Sequence, residues 1–81
     1  MTVNFKDISA MILWHRERSG LSQTQIARIA GIGKTAVFDL EHGKSTVRWD
    51  TLAKLLQALN IKTNFTSPLM DEFKAAVHEK R

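Results

Sequence analysis

The chain has 81 residues, 12 Lys+Arg against 8 Asp+Glu, a net charge of +4, a pI near 9.9 and no Cys. This length holds one small domain. The missing Cys excludes disulfides and thiolate metal sites, and no stretch approaches the about 20 apolar residues of a membrane span. Hydrophobic content of 43% with 25% charged is that of a folded globule rather than a disordered tail. A chain without Cys suits the reducing cytoplasm, and residues Met1 to Lys6 carry no signal-peptide core. A fold this small removes only about 60% of its unfolded surface from water, so oligomerisation is an expected source of stability.

Residues 1–66 hold nine Lys/Arg and five acids, whereas residues 67–81 hold three of each, so the whole basic surplus lies in the first part. Such a surplus serves either solubility or a polyanionic partner.

In chain order, Asp7 is the predicted N-cap of a first helix reaching about Ser19, with Ile8, Met11, Ile12, His15 and Ser19 on one stripe. Gly20 ends it. Ser22 caps a second helix, Gln23 to Ala30, that buries Ile26, Ala27 and Ala30. Gly31-Ile32-Gly33 makes a tight turn into a third helix, Lys34 to about His42, with Ala36, Val37 and Leu40 inward, and Gly43 stops it. A fourth helix, Trp49 to Leu59, presents Leu52, Leu55, Leu56 and Leu59. Ile61 to Thr66 alternates and contains β-branched and aromatic residues, which predicts a short strand with Ile61, Thr63 and Phe65 on one side. Ser67 as N-cap and Pro68 at the first helical position open a fifth helix ending near Glu79, its stripe Leu69, Met70, Phe73, Ala76 and Val77. The fold class is thus all-α, five short helices with one short C-terminal strand. Residues 1–66 form the main unit and 67–81 a terminal amphipathic helix.

Two short helices joined by a three-residue, Gly-containing turn make a helix-turn-helix, whose second helix places N-terminal residues at base edges in the major groove. The landmarks Arg16, Leu21-Ser22-Gln23, Ile26-Ala27, Gly31-Ile32, Val37, Leu40-Glu41-His42-Gly43-Lys44 and Leu52 to Ala58-Leu59 stand at spacings that resemble the Cro/phage-repressor (XRE-type) helix-turn-helix family, over roughly residues 8–61. The outward face of the third helix carries Lys34, Thr35, Phe38 and His42, with Asp39 at its edge. Lys34 reaches guanine or phosphate, and Thr35 a base or a phosphate. Phe38 either meets a thymine methyl in the groove or packs sideways on a neighbouring loop. Asp39 accepts from a cytosine amino group, pairs with a nearby basic side chain, or repels wrong sites.

The resemblance implies further roles. Gln23 bonds a phosphate or base edge, Lys44 and Arg48 hold phosphates, and Arg16 pairs with Glu41 to tie the first helix to the end of the third. Two departures stand out: Gly33 replaces the usual Ser or Thr cap of the third helix, and Phe38 replaces a polar contact residue.

Other chemistries fare poorly. Gly33-Lys34-Thr35 mimics the end of a phosphate-binding loop, but Arg28 stands where that motif needs Gly. His15, His42 and His78 lack metal-ligand spacing, and no catalytic set or cofactor motif occurs, so no enzyme, metal or cofactor is expected.

A lone strand leaves its backbone groups unpaired, so pairing with the same strand of a second copy is expected, with Ile61, Thr63, Phe65, Leu69 and Phe73 in the dimer interface. The run from Lys54 to Ile61 leading into a strand resembles the HipB-like subgroup, antitoxins that repress their own operon and bind a kinase-like toxin. The fifth helix packs on its own domain, across the dimer, or on a partner. Leu13 and Trp14 lie opposite the first helix's core stripe, with Val3 and Phe5 nearby. They form a partner surface or are covered by the N-terminal segment. The expected function is a cytoplasmic homodimeric repressor of an inverted-repeat double-stranded operator, as an autoregulating antitoxin. The alternatives are a solitary phage-type or restriction-controller regulator, and a module that chiefly binds a protein partner.

Overall fold

In a computed structural model of the chain, which describes residues 4–79, the elements are α1 (Phe5–Arg18), α2 (Gln23–Ala30), α3 (Lys34–Glu41), α4 (Trp49–Ala58) and α5 (Met70–Glu79). The start of α1 corrects the sequence reading. Asn4 is the N-cap, and its side chain accepts from the Asp7 amide at 3.0 Å. The Asp7 carboxylate accepts from the Asn4 amide in return. Asp7 is therefore the third helical residue of a capping box. Ser22 and Gln25 build the same reciprocal box at the start of α2.

The turn between α2 and α3 depends on Gly31, whose φ of +74° lies in the left-handed region open to glycine. It allows the Ile32 amide to reach back to the Ala27 carbonyl at 3.0 Å, closing α2. The same closure ends α4 on a non-glycine residue. Asn60 has φ +60°, and the Ile61 amide donates to the Leu56 carbonyl at 2.8 Å.

The four helices α1 to α4 enclose one core of Ile12, Ile26, Ala27, Val37, Leu40, Leu52, Leu55, Leu56 and Leu59. Ile12, Ile26, Val37, Leu40 and Leu55 have no exposed surface. Phe5, Ile8, Met11, Leu21, Ile32, Val47 and Ile61 close its edges. Ala27 is nine-tenths buried or more, as expected where α2 approaches its neighbours closely. Ser9 is 4% exposed, and its hydroxyl has no hydrogen-bond partner among the described residues.

The C-terminal quarter differs from the sequence reading. Residues 61–67 form no strand, since no second strand lies beside them among the described residues. Ser67 caps a turn instead of a helix: its Oγ accepts from the Leu69 amide and its carbonyl from the Met70 amide. Pro68 sits in that turn, and α5 starts at Met70. Leu69, Phe73 and Val77 are 64%, 60% and 39% exposed, so the stripe of α5 does not pack on the core. The Cα radius of gyration, 15.2 Å, exceeds the about 12 Å of a compact chain of this length, in keeping with that projection.

Candidate nucleic-acid interface

The interface is built on α2, the Gly31 turn and the first two turns of α3. Gln23 opens α2, and Lys34 and Thr35 open α3. With Phe38 these four residues line one shallow open cleft. Gly33 supplies no side-chain cap, so the first amides of α3, beside this cleft's Lys34 and Thr35, have no side-chain acceptor. The positive end of the helix and the Lys34 ammonium therefore lie on the same surface.

Phe38 is 47% exposed. Its ring stacks on His42, one turn along, with centroids 3.9 Å apart and planes at 22°. His42 Nδ1 lies 2.7 Å from the Phe38 carbonyl oxygen. A carbonyl only accepts, so Nδ1 carries the hydrogen and donates. Sequence reading placed His42 on the outward face but missed this stack, although aromatic groups four residues apart on a helix are its signal.

Asp39 takes the pairing option in the free chain. The Lys44 Nζ lies 3.4 Å from its carboxylate, and the Lys44 amide donates to its carbonyl at 3.0 Å. Lys44 thus sits at the C-terminal edge of α3, still 59% exposed at its side chain. Arg48 is the N-cap residue of α4 and forms an exposed pair with Asp50 at 3.2 Å.

Behind the cleft lies a polar cluster joining three helices. Arg16 of α1 donates through Nε and Nη2 to the Glu41 carboxylate of α3, and through Nη1 to the Leu21 carbonyl at 2.9 Å. Gln23 of α2 donates from Nε2 to Glu41 at 3.0 Å. The Glu41 side chain is 2% exposed and that of Arg16 15%. Burial alone would push the Glu41 carboxyl up, but hydrogen bonds from Arg16 and Gln23 outweigh it and hold it below the ordinary carboxylate range. The hydrogen bond to Glu41 holds the Arg16 guanidinium above its usual value. Arg16 and Glu41 stand together as the sequence suggested. Gln23 is the third member the sequence did not disclose, because one side of its amide is turned inward to Glu41.

On α1, Trp14 is 55% exposed, with the Arg18 guanidinium 5.1 Å over its ring, and Leu13 is half-buried. Phe5 packs on the core, and Val3 lies outside the described residues. Ile61 is half-buried against the core, while Thr63, Phe65, Leu69 and Phe73 are exposed. Among the described residues no three His, Asp or Glu side chains group as metal ligands, and no helix is long and apolar enough to cross a membrane.

A helix-turn-helix whose second helix opens on Lys34 without a side-chain cap is the arrangement these elements define. The helix-turn-helix family profile matches residues 12–65, and the chain belongs to that family of transcriptional regulators. It is 32% identical over 62 residues to the HTH-type transcriptional regulator y4mF of Sinorhizobium fredii (strain NBRC 101917 / NGR234), covering 76% of this chain and 82% of that protein. Its fold is similar to that of a chain in a HipA-HipB-O2-O3 complex, with a TM-score of 0.75 and 18% identity over 84% of this chain and 96% of the other. A chain in a HipB-O4 20mer complex gives 0.74 at the same identity and coverage.

Proposed function

We propose that this regulator is a repressor that binds an inverted-repeat operator as a homodimer, each α3 reading one half-site in the major groove. Half-sites about one helical turn apart suit two such helices. The observation that carries this reading is the single surface shared by Gln23, Lys34, Thr35 and Phe38 at the uncapped start of α3. On it, Lys34 and Thr35 contact base edges, Phe38 a thymine methyl, and Lys44 and Arg48 phosphates. Gln23 keeps one amide hydrogen on Glu41 and offers the rest of its amide to the DNA. Asp39 holds Lys44 in place.

The exposed stripe of Phe65, Leu69, Phe73 and Val77 supports a dimer closed by residues 61–79 of two copies, in which Ile61 to Thr66 pairs as a strand. Within this reading the chain is an antitoxin that represses its own operon in the cytoplasm and binds a kinase-like toxin, through the Leu13–Trp14 face. Fold similarity to a HipB chain captured with HipA supports that role. A solitary regulator is the second reading, favoured by the relative being described only as a transcriptional regulator.

Three experiments decide. The double variant Lys34→Ala, Thr35→Ala should lose preference for the operator that the wild type selects from random duplexes; unchanged selection overturns the α3 assignment. Phe65→Asp should give monomers by mass measurement and weaken operator binding; an unchanged dimer overturns the proposed interface. Copurification of a toxin in stoichiometric amount from the native host separates the antitoxin from the solitary regulator.

A further inference from the structure

The stacked pair on the outward face of α3 is a built feature with no part in the core. Phe38 stays 47% exposed even with its ring stacked, which leaves apolar surface for a ligand to cover. Its ring is held by His42, and His42 is held in turn by its Nδ1 hydrogen bond to the Phe38 carbonyl. His42 does not line the cleft that Phe38 shares with Gln23, Lys34 and Thr35. One ring is thus aimed into the cleft and the other braces it from behind. The neighbouring carboxylates are already engaged: Asp39 pairs with Lys44, and Glu41 with Arg16 and Gln23. Phe38 offers the groove an oriented apolar ring with no hydrogen-bonding demand of its own.

We infer that His42 is a positioning residue that fixes Phe38 as a reader of a pyrimidine 5-methyl group in each half-site. This deepens the proposed operator reading and rests on it. In the major groove only thymine presents such a methyl among unmodified bases, and 5-methylcytosine presents the same group. A ring already fixed by stacking loses less rotational freedom when it meets the methyl than a free Phe38 does. Selectivity for the methyl, not merely affinity, is what the brace supplies.

The full-length protein is first used to select its operator from random unmethylated duplexes. Each thymine is then replaced, in both half-sites at once, by deoxyuridine, which differs only in lacking the methyl. At one symmetric position the wild type should lose about fourfold in affinity per half-site, or about fifteenfold in all, the worth of one buried methyl. A cytosine placed there should regain most of that loss when supplied as 5-methylcytosine, which shows that the methyl is read rather than the thymine carbonyl. His42→Ala should shrink the thymine-to-uracil ratio toward one at that position, and His42→Phe, which keeps a stacking ring, should restore it. The ratio cancels any general loss of folding or DNA affinity. A wild type that selects no operator overturns the DNA-binding reading itself. A wild type that selects one but is indifferent to every uracil substitution, or a His42→Ala ratio equal to wild type, overturns this inference alone.

Discussion

The helices α4 and α5 are equal in length, ten residues each, and both carry an apolar stripe, yet they meet opposite fates. Leu52, Leu55, Leu56 and Leu59 are each below 9% exposed, while Leu69 and Phe73 are 60% exposed or more. The difference is the supply of opposing surface. Helices α2 and α3 pack on α4 and close the core with α1, whereas Leu69, Phe73 and Val77 along α5 stay exposed. Ten-residue helices are marginal in water by themselves. The order of α5 therefore depends on a second surface far more than that of α4 does. One part of the molecule closes its apolar stripe within the described chain, and the other leaves it exposed.

The comparison can be broken most directly by truncating one side chain in each region. Leu40→Ala in the core should cost about 3–4 kcal/mol. That loss should be the same in denaturation at high and low protein concentration. Phe73→Ala should cost under about 0.5 kcal/mol at low concentration and more at high concentration, where copies associate. A large, concentration-independent loss in Phe73→Ala would mean that α5 belongs to the monomer after all.

Next in size is the polar cluster. Arg16→Ala strands a Glu41 carboxylate that is 2% exposed, and should cost about 3 kcal/mol in thermal or chemical denaturation. Its pH signature has a fixed sign. The Glu41 carboxyl is lowered in the fold, so its contribution is complete above the ordinary carboxylate range and is lost as pH falls through and below about pH 4. Glu41→Gln should flatten the stability–pH curve in that window, with the wild type steeper. A wild-type curve no steeper than that of Glu41→Gln would remove Glu41 from the list of stabilising ion pairs.

The smallest effect belongs to the exposed Arg48–Asp50 pair, with side chains 83% and 54% exposed. Asp50→Asn should change stability by about 0.5 kcal/mol or less. The contrast with Arg16→Ala sharpens the division between a pair that ties helices together and one that lies on the surface.

Much of the fold was legible because it is locally punctuated. Ser22, Gly31 and Gly43 bound α2 and α3, and the leucines of α4 fall at helical spacing. The start of α1 was misplaced by three residues because Asn4 and Asp7 both suit a cap, and only their reciprocal bonding ranks them. The segment 61–67 alternates like a strand, but pairing is a property of two strands and cannot be carried by one. In the candidate interface, Lys34, Thr35 and Phe38 were legible from their face of α3. The inward turn of Gln23 and the stacking of His42 were not, since each depends on a side-chain partner in three dimensions.

Ser9 has a consequence for how close this chain stands to its own limit. A hydroxyl buried without a partner carries a desolvation cost of about 1–3 kcal/mol, and Ala is also the better helix former. Ser9→Ala should thus raise the melting temperature, by about 4–8 °C for each kcal/mol in a domain of this size. The native sequence leaves that reserve unused, as chains held just above a stability threshold do. Heat tolerance here is open to improvement by deleting one oxygen atom from α1.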